Sequence, residues 1–235
     1  MTSVVMGTNL IEAQFTERVN RFLCTVLLDN ELTEVHLHDP GRLKELLLPG
    51  SRILLRKENS PHRKTAYDLV GVYTGTTLVS CDSRVPNRLV KKALQERALP
   101  ELQDYHTITP EYTYQDSRID FCLDGKILLE VKGVTLIKNG RALFPDAPTV
   151  RGRKHVHTLL SAIKEGFTSY IFFLIQRPDA SRFSPNAQTD PQFATILKHA
   201  VRKGVHILVY TSEFTGNLMY LREKLSSIEF QIEAI

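Results

Sequence analysis

The most constraining feature of this chain is an Asp-Gly pair, Asp124-Gly125, set between two apolar runs in the stretch SRIDFCLDGKILLEVKGV from Ser117 to Val134. Asp-Gly in that setting predicts a tight turn joining two short strands, SRIDFCL and KILLEVKGV. Side chains alternate faces along a strand, so Glu130 and Lys132 share one side while Leu129 and Val131 share the other. With Asp120 on the polar side, two carboxylates and an ammonium converge at one spot. Hard oxygen ligands for Mg2+ or Mn2+, with a cation to hold or activate a water, are what metal-assisted phosphodiester hydrolysis needs. An isolated Glu-x-Lys is ordinarily a solvated face. Here, however, ILLEVKGV is otherwise apolar, as in a strand buried on both faces, and charges placed there cost free energy unless they are paired or bind an ion. Asp120 likewise stands between Ile119 and Phe121. These residues alone leave a functional site and an intramolecular ion pair evenly matched.

At 235 residues the chain has room for one large or two ordinary domains. Residues 1 to about 80 read as β-rich: Arg21 to Leu28, Thr33 to Leu37, Arg52 to Arg56, Tyr67 to Tyr73 and Thr77 to Cys81 are short runs separated by Asp29-Asn30, Pro40-Gly41 and Pro49-Gly50. Several short strands with one small helical patch, Arg42 to Leu48, suit a compact barrel of the OB type. A boundary falls near residues 80–86, so the expected domains are residues 1–82 and 83–235. In the second, the pattern predicts an amphipathic helix from Arg88 to Ala98, a strand from Glu111 to Tyr114, and the central hairpin. After Lys132 a turn-rich stretch runs through Gly140-Arg141 to Phe144-Pro145-Asp146-Ala147-Pro148, without regular structure. Next come a helix from Thr149 to Gly166, a buried strand from Ser169 to Ile175, a helix from Pro191 to Gly204 and a strand from Val205 to Tyr210. The tail from Asn217 to Ile235 is expected as a helix and then a weak strand. This order makes a mixed sheet flanked by helices.

The net charge is +4 with a pI near 8.9, which is compatible with a polyanionic partner. Basic residues cluster locally: Arg56, Lys57, Arg63 and Lys64 around a Pro-containing loop, and Arg88 and Lys91 on the first helix. Arg151, Arg153, Lys154 and His155 crowd the start of the next helix. Cations at a helix start oppose the helix dipole, so local stability does not explain the last group, whereas arginines and free N–H groups together make a phosphate-binding surface. His155 and His157, two apart, do not share a helix face and make a poor metal pair. Cys24, Cys81 and Cys122 are odd in number, widely spaced and outside any CxxC pattern, so three small buried residues are expected in place of a disulfide or zinc site. No signal peptide is evident and no apolar run approaches the ~20 residues of a membrane helix, so the expectation is a soluble cytoplasmic protein. No Gly-rich nucleotide loop of P-loop or Rossmann form is present.

The motifs VNRFLCTVLL, PNRLVKKAL, SRIDFCLDG, LEVKGVTL, LFPDAPTVRGRKHVHTL, IFFLIQRPDASRFSPN and GVHILVY occur in this order between about Arg18 and Tyr210. In them the chain resembles the sugar fermentation stimulation protein A (SfsA) family. The resemblance implies DNA binding, an N-terminal OB-like domain, and a C-terminal domain of the PD-(D/E)xK nuclease type. In that fold the acidic residue of the first strand corresponds to Asp120, and the signature to Glu130-Val131-Lys132, with Mg2+ or Mn2+ held by Asp120 and Glu130. The chain departs from the family in two places. It has HLHDPGRL where a Cys-Pro-Asn-Thr-Gly-like turn is frequent, and Lys92 where the family helix often carries Glu. A further helix-borne acidic residue is therefore unassigned, with Glu101 the candidate. Two readings follow, a metal-dependent DNA nuclease and a non-catalytic, regulatory DNA-binding protein with a nuclease-like domain. The oligomeric state stays open, a homodimer included.

Overall fold

Short apolar segments punctuated by turn residues close the first third of the chain into a barrel. The computed structural model describes residues 1–60 and 62–230. β1 (Ser3–Val5) precedes the barrel and does not join it. β2 (Leu10–Arg18), β3 (Leu23–Leu28), β4 (Glu31–Leu37), β5 (Arg52–Lys57) and β6 (Tyr67–Thr74) pair in the order β4-β3-β2-β5-β6, and β4 returns to β6 in parallel at His36↔Asp68 and Leu37↔Leu69. That five-stranded closure is the OB arrangement. β7 (Thr77–Ser80) extends it from the edge of β6. Asp29 and Asn30, both at positive φ, make the β3–β4 turn that the sequence marks. Phe15, Val26, Val35, Ile53, Leu55, Leu69 and Val72 fill the interior.

The helix expected over Arg42–Leu48 does not form. Leu43 has φ 48°, which breaks a right-handed helix, and the segment turns so that Leu43, Leu46 and Leu47 all plug the barrel core. β2 was absent from the sequence expectation. Its pattern, LIEAQFTER, is polar because the strand is only partly buried along most of its length.

α1 (Val85–Gln95) opens the second unit, followed by β8 (Ile108–Tyr114), β9 (Ser117–Leu123) and β10 (Ile127–Val134). The stretch expected to be irregular holds two short strands, β11 (Ile137–Lys138) and β12 (Arg141–Phe144), before α2 (Val150–Lys164). β13 (Thr168–Ile175), β14 (Arg182–Pro185), α3 (Pro191–Arg202), β15 (His206–Thr215) and β16 (Leu218–Lys224) complete it. The tail thus begins with a strand where a helix was expected, and residues 231–235 lie outside the described residues. The main sheet runs β1-β16-β15-β13-β10-β9-β8, so residues 3–5, grouped by sequence with the barrel, form its edge. β10, β13 and β15 are parallel and the outer strands antiparallel. The crossovers from β10 to β13 and from β13 to β15 step the same way, and a right-handed crossover places α2 and α3 on one face. α1 covers the other face, where Leu89, Val90 and Leu94 share a core with Phe121, Leu129, Val131 and Phe172. This is the curled mixed sheet with three helices of a PD-(D/E)xK-like domain.

The barrel is fused to this second unit through the α1 core, to which Met6, Leu54, Val70 and Leu78 also belong. At the contact a β-carbon on Gly71 would stand 2.9 Å from the Phe214 ring, so the glycine permits the close approach. The three cysteines are free and buried. Among the described residues no helix is long and apolar enough to cross a membrane.

Candidate functional site

The β9–β10 hairpin turns at Asp124 (φ 48°) and Gly125 (φ 64°), the paired positive angles of a type I′ turn. The Asp124 carboxylate also accepts the N–H groups of His106 and Thr107, which pulls its pKa down to about 2. From the turn the ladder runs only to Leu129↔Phe121, and beyond it β9 and β10 part. Asp120 fills the opening. One of its oxygens accepts the Val131 N–H at 2.7 Å and the other accepts Asn87 Nδ2 of α1 at 2.6 Å.

Glu130 and Lys132 lie on the face covered by α2. Glu130 is 2% exposed. Lys132 Nζ and His155 Nδ1 both bond to its Oε1, while Oε2 is buried and has no partner among the described residues. Arg151 Nε donates to His155 Nε2 at 3.4 Å, which makes that nitrogen the acceptor and leaves the ring proton on Nδ1, pointed at Glu130. Burial works to raise the Glu130 carboxyl, but Lys132 and His155 outweigh it and hold the group below its ordinary value. Asp120 moves the other way: burial first, and then the charge of Glu130, raise it. The three residues of the predicted constellation are therefore electrostatically coupled, with Glu130 and Lys132 in direct contact.

Glu101 is not part of this arrangement. Its carboxylate is taken by Lys224 Nζ at 2.5 Å and Tyr210 Oη at 2.9 Å. Among the described residues no three of His, Cys, Asp and Glu gather closely enough to hold a metal ion, so any ion here would rest on two carboxylates. The donor chemistry suits a hard divalent cation: one buried carboxylate oxygen has no partner, and an acid held above its ordinary pKa stands beside it.

The basic residues divide into two groups. Arg56 and Arg63 are bonded to the buried Asp68. Arg153 reaches Asp190 at 2.7 Å, and Lys154 reaches Asp116 at 2.9 Å. Arg88 donates to the Val5 carbonyl, and His155 faces Glu130. Exposed Lys57, Lys64, Lys91 and Arg151 are in no ion pair among the described residues. A surface that the sequence reading passed over lies on the barrel. Phe22, 43% exposed, stacks on His36 with centroids 6.2 Å apart; His36 meets His38 at 4.3 Å, and Arg21 lies over the Phe22 ring at 5.4 Å. Beside them Arg21, Arg42 and Lys44 line a groove of about 420 Å3. Asn87 and His155 were also missed as partners of the carboxylates. The only signal for Asn87 is its position directly after Pro86 at a helix start.

Two family models match the chain: the SfsA N-terminal OB domain over residues 16–81 and the sugar fermentation stimulation protein RE domain over residues 84–217. A sugar fermentation stimulation protein homolog from Clostridium kluyveri is 40% identical over 226 residues, covering 94% of this chain and 98% of that one. The homolog from Clostridium perfringens strain 13 is 42% identical over 222 residues, covering 93% and 95%. The structure of Pyrococcus furiosus SfsA in complex with Ca2+ superimposes with a TM-score of 0.89 at 27% identity, covering 97% of this chain and 99% of that one. With both domain models matched in order and relatives 40% and 42% identical over nearly their whole length, the chain belongs to the sugar fermentation stimulation protein family.

Proposed function

We propose that this protein binds DNA and hydrolyses its phosphodiester bonds with a divalent metal at Asp120 and Glu130. The observation that carries the reading is the buried, partnerless Oε2 of Glu130 beside Asp120, a carboxyl held above its ordinary pKa by burial and by Glu130. An acceptor left bare in a dry site is costly in a purely structural role and is useful for a cation. Pyrococcus furiosus SfsA was solved with Ca2+, an oxygen-seeking ion of the class this pair would take. When bound, Mg2+ or Mn2+ would polarise the phosphodiester and lower the pKa of a coordinated water.

The chain's own residues do the rest. His155 donates to Oε1 and fixes the Glu130 carboxylate, leaving Oε2 without a protein partner among the described residues. Lys132, partly exposed, places an ammonium where a phosphate arriving at the opening between β9 and β10 gains negative charge during attack. Asn87 and the Val131 N–H hold Asp120 in place. Arg151 and the exposed lysines contact the backbone, and the Phe22–His36–His38 stack offers bases a platform on the barrel.

The test is to incubate purified protein with plasmid and linear DNA, with and without Mg2+ or Mn2+, alongside Lys132→Ala. Wild type should cut only with metal, and the variant should lose cleavage by about 100-fold or more while binding DNA as before. Binding should weaken steeply with salt, at a log–log slope near 0.9 per duplex phosphate contacted. Cleavage by Asp120→Asn at the wild-type rate would sink the reading. The absence of a third acidic ligand among the described residues favours a second reading, a non-catalytic DNA-binding protein. Salt-dependent binding without cleavage under any metal would select it.

A further inference from the structure

Of the eleven phenylalanines and eight tyrosines, Phe22 alone is exposed, and it stands in the loop between β2 and β3. A single exposed apolar side chain is ordinary. The surroundings of this one are not. Its backbone is fixed on both sides, since its N–H donates to Asn20 Oδ1 and its carbonyl accepts the Leu37 N–H, each at 2.9 Å. His36 stacks against it with the ring planes within 18°, and burial, followed by the charge of His38, holds that imidazole below its ordinary pKa, so it is neutral at pH 7. Arg18 donates to the carbonyls of Arg21, Asp39, Gly41 and Arg42 and so fastens the β2–β3 loop to the loop after β4. Between these loops lies the groove of about 420 Å3, lined by Arg21, Arg42 and Lys44 and, among the described residues, by no carboxylate. The three cations are exposed and in no ion pair among the described residues. Further along the barrel the surface changes sign, for Glu17 and Glu34 stand exposed on either side of Thr25.

A rigid ring beside uncommitted cations holds a nucleic acid whose bases are unstacked: the ring takes a base face and the cations take phosphates. In a duplex each base face is covered by its neighbours, so Phe22 has nothing to hold there. The Arg21 guanidinium, 5.4 Å above the Phe22 ring, gives way to an entering base and follows the adjoining phosphate. The second unit presents a different surface. None of its phenylalanines or tyrosines is exposed among the described residues, and exposed Lys91 and Arg151 flank the candidate site. Lys91 lies one helical turn from Asn87, which holds Asp120, and Arg151 bonds His155, which holds Glu130. Cations without a ring contact the phosphate backbone and leave the bases paired. The two surfaces adjoin, because the Arg42 N–H donates at 2.7 Å to Asp146 Oδ2 in the loop that leads into α2.

We propose that the substrate is DNA in which an unpaired strand adjoins duplex: the barrel groove takes the unpaired strand, with one base on Phe22, and the second unit takes the duplex. The proposal rests on the DNA-binding reading above and names the form of DNA that this reading leaves open.

Full-length protein is titrated by fluorescence anisotropy, in EDTA and in Ca2+, with a thymine single strand, a blunt duplex, and the same duplex carrying that strand as a tail. Wild type should bind the tailed duplex about tenfold tighter than the blunt one, the scale of one stacked base. It should also bind the tailed duplex tighter than the tail alone. Phe22→Ala should bring the tailed duplex to the blunt value, leave the blunt affinity unchanged and melt at the wild-type temperature, because the ring is exposed. Phe22→Trp keeps a ring and should keep the preference. The chain has no other tryptophan, so quenching of the indole by tailed or single-stranded DNA, and not by the blunt duplex, reports the stack directly. Arg42→Ala combined with Lys44→Ala should reduce the salt slope for the tailed duplex and not for the blunt one. A tail that adds no affinity, or a preference that survives in Phe22→Ala, overturns the proposal and leaves the DNA-binding reading standing. Equal affinity for the tail alone and the tailed duplex overturns the assignment of duplex to the second unit. If none of the three DNAs binds, the DNA-binding reading fails and the proposal falls with it.

Discussion

Asp68 in the barrel and Glu130 in the curled sheet are both carboxylates withdrawn from water, and the fold treats them in opposite ways. Asp68 is fully buried and saturated: Arg56 at 2.7 Å, His38 at 2.9 Å, Arg84 at 3.3 Å and Arg63 all reach it. Burial alone would raise its carboxyl, but His38, Arg56 and Arg63 hold it well below the ordinary carboxylate range. Glu130 shares a single oxygen between Lys132 and His155 and keeps the other bare. The difference separates two uses of a buried charge. A saturated carboxylate locks strands and loops together, and an unsaturated one keeps coordination capacity in reserve.

The contrast is most easily broken at Asp68. Asp68→Ala strands several guanidinium groups without a counter-charge and should lower stability by about 3–5 kcal/mol in urea unfolding at neutral pH. A loss under about 1 kcal/mol would show that the network is a solvated one. Next in size is Arg153, whose partner Asp190 is 2% exposed and also accepts the N–H groups of Thr149 and Phe193. Arg153→Ala should cost about 1–3 kcal/mol, whereas Arg151→Ala, on an exposed side chain, should change stability by no more than about 0.5 kcal/mol. DNA affinity should follow the reverse order, and equal losses of affinity in the two variants would contradict this division.

On the unsaturated side the effect changes sign. Asp120 is held above its ordinary pKa, so its ionised form is disfavoured in the fold. Asp120→Asn should therefore raise the stability of metal-free protein at neutral pH by about 1 kcal/mol or less. The same variant should abolish any rise in melting temperature on adding Mg2+. Thermal melts with and without Mg2+ read both, and a variant less stable than wild type without metal would show that Asp120 is chiefly a structural acceptor.

Much of the hairpin was legible because its signals are local. Asp124-Gly125 demands positive φ at both positions, and strand alternation places Glu130 and Lys132 on one face. Asp120 was legible only as a polar residue between Ile119 and Phe121. Its place depends on where β9 parts from β10, which no local pattern encodes. β2 escaped notice because Glu12, Gln14 and Glu17 stand exposed along it, and Arg42–Leu48 misled because three leucines at helical spacing serve equally well to plug a barrel. The pairing of His155 with Glu130 joins residues 25 apart in sequence, and a cationic cluster at a helix start reads as phosphate-binding until the helix is docked. Glu101 failed for the same reason: Tyr210 and Lys224 are brought to it only by the assembled sheet.

The smallest expected effect compares two aspartates shifted in opposite directions. At Asp39 burial, opposed by the Gly41 N–H and reinforced by Asp146, pushes the pKa up to about 6. The folded state then binds the proton more tightly than the unfolded chain. This group's stabilising contribution is full below the unfolded value near 4 and is lost as pH rises toward 6. At Asp124 the N–H groups of Thr107 and His106 draw the pKa down to about 2, so its contribution is full above about 4 and is lost as pH falls toward 2. Asp39→Asn keeps an acceptor for the Gly41 N–H while removing the charge, and Asp124→Asn keeps a residue suited to the left-handed turn. In urea unfolding from pH 2 to 7, the difference between wild type and Asp39→Asn should change only between pH 4 and 6, with wild type losing ground as pH rises. The difference for Asp124→Asn should change only below pH 4, with wild type losing ground as pH falls. If the Asp39 curve instead bends below pH 4, the carboxylate is already compensated in the folded protein. The Asp39–Gly41 turn would then belong with the saturated group at Asp68.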